Sequence, residues 1–226
     1  MNYPYMLLND RWKISPIFPD LESIPLVLDL SVDGSFLKDL PPGDQSAFQH
    51  KLNGVMDGNF NWGLSSYLEN RQTLLSTCPQ MVKEERFFHL GLDIIVKAGT
   101  TLHSPLDAIV KDDGFEEGKG NYGGFILLEH SNSDFETFYS LYGHMNPASL
   151  KKKGTRITAG ELFGETGGFE VNGNWFYHTH LQILTKEGLD RGMQFKGYCR
   201  GEDILEMSLL CPSPLPLFLA SRLFPG

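Results

Sequence analysis

Between residues 81 and 186 the sequence is divided into short apolar runs, rich in Ile, Val, Phe and Tyr, that are bounded by Gly, Pro, Asn or Asp. Strands favour β-branched and aromatic residues, whereas Gly, Pro, Asn and Asp favour turns. This alternation predicts an antiparallel sheet. We therefore predict a mainly β protein whose central domain, residues 81–186, is an antiparallel sheet or sandwich. The runs are LDIIV, AIVKD, GFILLEH, ETFYSLY and FYHTHLQIL.

The segments before and after this region have different residue patterns. In residues 1–80 the run PLVLDL predicts a short strand, while the apolar spacing in SAFQHKLNGVM and LSSYLENRQTLL predicts short helices. We interpret this part as a mixed α/β N-terminal extension and a candidate lid. Residues 187–226 are predicted to be a C-terminal extension that packs on the core. A chain of 226 residues with 41% hydrophobic content is long enough for one domain with such extensions.

Charge and composition exclude several classes of function. The net charge of −9 and the pI of about 5.2 would repel nucleic acid, so we expect no nucleic-acid partner. No run approaches the roughly 18 apolar residues that span a bilayer, and the N-terminus lacks the pattern of an export signal. The three cysteines are far apart, which fits a reducing compartment. We therefore expect a cytoplasmic protein with no membrane span.

Two histidines in FYHTHLQIL are placed to share one site. Residues i and i+2 of a strand project from the same face, about 6.6 Å apart along the backbone. His178 and His180 therefore face the same space. At that spacing both can bind one metal ion, or one can bind while the other reaches a water or substrate, and the spacing alone does not choose between these.

A second pair of polar groups, His89 and Asp93, lies four residues apart in HLGLD. Four residues of an ideal strand cover about 13 Å, which is too far for both side chains to bind one zinc ion. The chain must bend, and Gly91 at the midpoint supplies the backbone freedom. Two ligands from this bend and a third from the strand with His178 and His180 predict a three-ligand zinc site, whose fourth position is open as in catalytic sites.

His144 ends the run FETFYSLYGHM. Strict alternation along a strand puts Phe138, Ser140, Tyr142 and His144 on one face, so a phenol and an imidazole are predicted to arrive together at the strand end. Such a pair can orient a nucleophile or an oxyanion.

The motifs HLGLD, LYGHM and HTH occur in this order with AGTTLHSPLDAIV, YGGFILLEH and KKGTRITAGELFGETG between them. Over about residues 82–185 the chain resembles the lysostaphin/LytM-type zinc metallopeptidases, which share the duplicated hybrid motif fold. The resemblance implies that His89, Asp93 and His180 bind Zn²⁺. It also implies that His144 and His178 flank the attacking water and the developing oxyanion. Tyr177 and Leu181 stand where the family often has proline and phenylalanine, which bears on substrate fit.

The resemblance implies a zinc-dependent endopeptidase that hydrolyses amide bonds in peptidoglycan or a related peptide. One alternative is a non-catalytic regulatory or binding member of the fold. Another is a cytoplasmic hydrolase of a small amide or peptide. WGLSSYLENRQTLL, NGNWFYHTHLQI and LLCPSPLPLFL are similar to a variant found in larger bacterial proteins beside kinase-like and aminotransferase modules, which are therefore candidate partner modules.

Other polar residues are interpreted more simply. His130 is expected to orient a turn or a metal ligand, because a fourth protein ligand would close the site. His50 and His103 are expected to be ordinary helix-surface and turn residues, and Tyr142 to pack or to line a cleft. Asn59 and Asn61 are expected to form a turn, although in latent members of the resembled family an N-terminal asparagine fills the open zinc position.

Overall fold

The computed structural model describes residues 1–9, 11 and 13–223 and is mainly β. The predicted fold class is confirmed. Twelve strands lie in the described part of the chain: β1 Leu26–Val27, β2 Gly63–Ser65, β3 Phe88–His89, β4 Leu92–Ile95, β5 Thr101–His103, β6 Ala108–Glu116, β7 Gly123–Asn132, β8 Phe135–Met145, β9 Arg156–Ile157, β10 Leu162–Glu165, β11 Thr179–Thr185 and β12 Tyr198–Cys199.

Six α-helices accompany the strands within the described residues. Three of them precede β3 and three follow β11: α1 Gln45–Met56, α2 Gln72–Leu75, α3 Pro79–Glu84, α4 Lys186–Asp190, α5 Ile204–Leu210 and α6 Leu215–Leu223. Short 3₁₀ helices occupy Tyr5–Leu8, Met193–Phe195 and Gly201–Asp203. Helix α1 begins where Asp44 accepts a hydrogen bond from the Ala47 amide, and the tail helix α6 follows the prolines of CPSP.

Eight strands form one sheet in the order β1-β2-β4-β11-β8-β7-β6-β9. Strands β1 and β2 are parallel, and every other neighbouring pair in this sheet is antiparallel. Two small antiparallel pairs, β5 with β10 and β3 with β12, lie beside it. The long strands β7, β8 and β11 are therefore central, and β4 places its residues directly beside β11.

The two faces of the large sheet pack against different parts of the chain. One face carries Ile94, Leu181 and Tyr142, and it is covered by N-terminal residues such as Ile17 and by Phe218 of α6. The opposite face is shared by two apolar clusters. One contains residues of β7, β8 and β11 with Leu210 of α5, and the other joins α1, α2 and α3 to the segment around residue 176.

The N-terminal extension confirms one helix and corrects another. SAFQHKLNGVM is helical as predicted, within α1. LSSYLENRQTLL is not one helix, since Gly63–Ser65 form a strand and helix α2 starts at Gln72. The amides of Leu68 and Arg71 instead donate to the carbonyls of His89 and Phe87. Pairing with the segment around His89 therefore overrides the local helical spacing.

Within the described residues, no single helix is both long and apolar enough to cross a membrane. By length and composition alone, the pair Gly201–Leu210 and Leu215–Arg222 would pass the same test together, but it is bent by 49°.

Candidate metal centre

A row of four directly opposed residues crosses the middle of the large sheet. In register, Ser65 of β2 lies opposite Asp93 of β4, Asp93 lies opposite His180 of β11, and His180 lies opposite Gly143 of β8. Directly opposed residues of antiparallel strands project from the same face. The sheet register therefore brings Asp93 and His180, which are 87 positions apart in the printed numbering, side by side.

The chain turns sharply between His89 and Asp93. Strand β3 ends at His89 and β4 begins at Leu92, so the predicted bend at Gly91 is confirmed. A Cβ atom at Gly91 would collide with the imidazole ring of His180. The close approach of this ring is what requires glycine here, since Gly91 does not have a positive φ.

Three side-chain atoms converge at the bend. His89 Nε2 lies 2.9 Å from His180 Nδ1 and 3.2 Å from Asp93 Oδ1, and His180 Nδ1 lies 3.3 Å from the same oxygen. All three residues are buried. The structure therefore brings together the three residues that the resemblance assigns to the metal, in a group of the size that can hold an ion.

Hydrogen bonds on the outer side of each ring fix which nitrogen carries a proton. His89 Nδ1 lies 3.0 Å from the carbonyl oxygen of Ser66, which can accept but not donate, so this nitrogen is the N–H. His180 Nε2 lies 3.0 Å from Gln182 Oε1, while the Gln182 amide nitrogen faces the carbonyls of Met193 and Lys196. When both rings are neutral, His89 Nε2 and His180 Nδ1 therefore carry no proton, and each presents a lone pair.

These two lone pairs and Asp93 Oδ1 face each other without a proton between them. Asp93 Oδ1 is buried and has no hydrogen-bond donor among the described residues. Burial alone would raise the pKa of Asp93, but Arg71 and the nearby histidines hold that pKa well below its usual value, so the carboxyl is ionised. Burial and Arg71 lower the pKa of His89 to about 3. A divalent cation resolves this arrangement, and two imidazoles with one carboxylate are a donor set typical of zinc.

His144 enters the site through a break in the alternation of β8. Gly143 pairs with Phe125, but Met145 pairs with Gly124, so an extra residue is accommodated at His144, whose φ is 63°. The prediction that Tyr142 and His144 share a face is therefore wrong. Tyr142 packs in the core of the opposite face, whereas the bulge turns His144 toward His178, with ring centroids 4.4 Å apart.

His144 and His178 present the same nitrogen to the site. His144 Nδ1 lies 2.8 Å from the Asn172 carbonyl, and His178 Nδ1 lies 2.8 Å from the Phe176 carbonyl. Both Nδ1 atoms are thus donors, which leaves Nε2 free on each ring. His178 Nε2 lies 3.5 Å from Asp93 Oδ1. Burial lowers the pKa of His178 to about 4 and holds the pKa of His144 well below its usual value.

Helix α1 holds the segment that carries His178, a role that the sequence did not predict. Gln45 Oε1 accepts from the Phe176 amide at 3.1 Å, and Gln49 Oε1 accepts from the Tyr177 amide at 2.6 Å. Phe48 stacks on Phe176, which in turn stacks on the His178 ring at a centroid distance of 4.2 Å. The N-terminal extension therefore supports this histidine from behind.

Arg71 is a second residue that sequence reasoning missed. Its side chain is 1% exposed, and its Nη1 lies 2.6 Å from Asp93 Oδ2. Within its stretch, LENR, the sequence offers one signal, a basic residue that follows an acidic one at i+2. The spacing of this segment predicts a helix, where residues two apart face different directions, so it gives no reason to pair Glu69 with Arg71.

The remaining candidates lie away from the cluster. Both ring nitrogens of His130 are bonded, Nδ1 to the Asp107 carbonyl at 3.2 Å and Nε2 to Ser140 Oγ at 2.8 Å. His50 is exposed on α1, and His103 bonds the Gly160 carbonyl from β5. Asn59 and Asn61 are exposed on the surface, so neither fills a ligand position in this conformation.

Comparison with known proteins supports the sequence resemblance. The sequence model of peptidase family M23 matches residues 87–190, and this match supports a peptidase function. A comparison with curated proteins gave no significant match.

Among solved structures, Csd3 of Helicobacter pylori is 26% identical with a TM-score of 0.33, and the match covers 43% of this chain and 24% of that one. A zinc-containing peptidase of Vibrio cholerae is 23% identical with a TM-score of 0.33, covering 43% and 27%. The lysostaphin catalytic domain of Staphylococcus simulans is 17% identical with a TM-score of 0.40, covering 59% and 80%.

The matched part of the chain thus spans about a quarter of the length of the first two of these proteins. The family match contains every residue that the resemblance assigned to the metal and to proton transfer: His89, Asp93, His144, His178 and His180. Residues 87–190, slightly less than half of the chain, are thus similar in sequence to peptidase family M23.

Proposed function

We propose that this protein is a zinc-dependent metalloendopeptidase that hydrolyses an amide bond in peptidoglycan or a related peptide. The observation that carries the proposal is the convergence of His89 Nε2, His180 Nδ1 and Asp93 Oδ1 as three acceptor atoms without a shared proton. Mutual repulsion of such atoms is relieved by a cation. A zinc ion held by these residues would supply Lewis acidity, polarising the scissile carbonyl and making water more acidic.

His144 and His178 supply the proton chemistry in this proposal. Their rings lie side by side, each with Nδ1 anchored on a main-chain carbonyl and Nε2 free. One of the two free nitrogens accepts a proton from the attacking water. The other, once it carries a proton, donates a hydrogen bond to the oxyanion that develops from the carbonyl. Because the main-chain carbonyls accept from Nδ1, each neutral ring carries its proton on Nδ1 and presents an unprotonated Nε2 to the site.

Access to the site favours a slender substrate. The four histidines are at most 5% exposed, and a small cleft leads to His144 and His180. Aromatic side chains make up much of its wall: Tyr122, Trp175, Phe195 and Tyr198. A backbone with small side chains, as in the glycine-rich bridges of peptidoglycan, fits such a cleft better than a folded protein does. The departures at Tyr177 and Leu181 leave the identity of the peptide to be measured.

The proposal is tested by hydrolysis of pentaglycine, of peptidoglycan fragments and of short unrelated peptides, each with and without a zinc chelator. We expect cleavage of at least one of them, loss of cleavage after chelation and recovery when zinc is restored. Zinc binding without cleavage of any amide substrate would favour the non-catalytic alternative. Cleavage that the chelator leaves unchanged would contradict the role of the metal.

A further inference from the structure

Arg71 is a buried cation, and three of its four side-chain hydrogen bonds go to the metal centre or to its support. The fourth runs from Nη1 to the Tyr198 hydroxyl at 3.4 Å. Nε lies 2.8 Å from Glu69 Oε2, Nη1 lies 2.6 Å from Asp93 Oδ2, and Nη2 lies 2.6 Å from Ser65 Oγ. With 1% of the side chain exposed, water does not substitute for these partners. A guanidinium group with this fixed fork geometry determines where its partners lie.

The contacts of Arg71 make the two oxygens of Asp93 unequal. Oδ2 accepts from Arg71 Nη1 and, at 3.1 Å, from Ser65 Oγ. No residue in the described part of the chain donates to Oδ1, which faces His89, His178 and His180. Rotation of the carboxylate would break both bonds at Oδ2, so the group is held with a single oxygen toward the histidines.

Glu69 offsets the positive charge that Arg71 brings close to the metal centre. Its carboxylate is held by Arg71 on one oxygen and by the Leu30 amide, at 2.9 Å, on the other. Formally, Glu69 cancels the positive charge of Arg71, and the negative charge of Asp93 remains for the ion. Arg71 can therefore orient Asp93 without opposing a nearby cation, because a second carboxylate accompanies it.

We propose that Arg71 is a positioning residue that makes Asp93 a one-oxygen metal ligand. Arg71, Ser65 and Glu69 all precede residues 87–190, so this support comes from the N-terminal extension and not from the part that matches the family. The inference rests on the proposed function, since it presupposes that the centre holds a metal ion. The extension is then an integral part of the site as well as a candidate lid.

The test compares metal binding by Arg71→Met, Arg71→Lys and Arg191→Met with that of the full-length wild type. Arg191 is the matched control, because it also bonds two carboxylates, Glu187 and Glu206, but at the surface. The apparent zinc Kd is measured by competition with a chromophoric chelator, and the absorption spectrum of bound Co²⁺ reports the ligand geometry. Circular dichroism of the metal-free proteins checks that each variant folds.

We expect Arg71→Met to weaken zinc binding by about 10–100-fold and to change the Co²⁺ spectrum, as is typical when a partner of a metal ligand is lost. Arg71→Lys, which keeps the charge but not the fork, should fall between wild type and Arg71→Met. Arg191→Met should match wild type in both measurements. Unchanged affinity and an unchanged Co²⁺ spectrum in folded Arg71→Met would overturn the positioning role.

Two further outcomes distinguish failure of the proposed function from failure of the proposed role of Arg71. If wild type itself binds no zinc, the proposed function fails, whereas tight binding by wild type with no effect at Arg71 removes only the present inference. If Arg71→Met does not fold, Ser65→Ala replaces it, because that hydroxyl bonds both Arg71 and Asp93 Oδ2. Ser65→Ala should weaken binding in the same direction by a smaller factor, and wild-type affinity and spectrum would overturn the inference.

Discussion

The central sheet carries buried histidines on both faces, and they differ in what their second ring nitrogen meets. On the core face, His130 places one nitrogen against the Asp107 carbonyl and the other against the Ser140 hydroxyl. On the opposite face, His180 of β11 and His89 of the small strand β3 beside the sheet each bond one nitrogen to an oxygen acceptor. The other nitrogens of these two rings face each other and Asp93 Oδ1.

This difference separates a structural histidine from a metal ligand. A serine hydroxyl can donate, so both nitrogens of His130 are satisfied within the protein. A carboxylate oxygen and an imidazole lone pair cannot donate a hydrogen bond. On the face of the sheet that carries the metal centre, called the site face here, only a cation can therefore satisfy the inner nitrogens of His89 and His180. Burial is the same on both faces and does not distinguish them.

The largest effect within this comparison is expected for His144, which lies on the site face but is not one of the three converging ligands. His144→Ala should retain bound zinc and lower turnover by about 10²–10⁴-fold, the range for loss of a general acid or base. Zinc content and the initial rate of hydrolysis are measured on the same preparation. An active His144→Ala enzyme would contradict the assigned role, and loss of zinc would place His144 among the ligands.

A smaller effect is expected on the core face, where it appears as a change in stability with pH. Burial lowers the pKa of His130 to about 4, below the 6.5 of an exposed histidine, so the unfolded chain binds the proton more tightly. The stabilisation by neutral His130 is complete above pH 6.5 and is lost as the pH falls from there to about 4. The free energy of unfolding lost over this pH range is about 3 kcal/mol, at 1.36 kcal/mol per pKa unit.

His130→Gln should therefore lose less stability than wild type between pH 7 and pH 4, while it keeps zinc and turnover at pH 7. Urea unfolding of both metal-free proteins at the two pH values measures the difference, and titration of the other buried histidines cancels between them. Equal pH dependence in the two proteins would show that His130 is not the titrating group. Loss of zinc in His130→Gln would remove the distinction between the faces.

The fold class and the bend between His89 and Asp93 could be predicted because their signals are local, whereas the choice of His180 as the third ligand came from the family resemblance. Runs of β-branched residues between turns indicate strands, the i, i+2 spacing of His178 and His180 fixes a shared face, and a glycine between two ligands indicates a bend. The confirmed bend at Gly91 needed no knowledge of the partner strand. The collision of a Cβ atom with the His180 ring, by contrast, is visible only once the strands are paired.

Two features could not be predicted because they depend on tertiary pairing. Alternation assigned His144 to the face of Tyr142, but a bulge with a left-handed φ at a non-glycine residue reverses its direction. The segment that ends at Arg71 has helical spacing, yet its amides pair with the chain around His89. This pairing, and not a local sequence pattern, places the Arg71 side chain beside Asp93.

Elemental analysis of the purified protein measures whether the side chains of His89, Asp93 and His180 hold one divalent cation. We expect one zinc ion per chain in wild type and none in His180→Ala, with folding of the variant checked by circular dichroism. Wild-type protein without zinc after purification and zinc addition, or His180→Ala with as much zinc as wild type, would contradict this expectation.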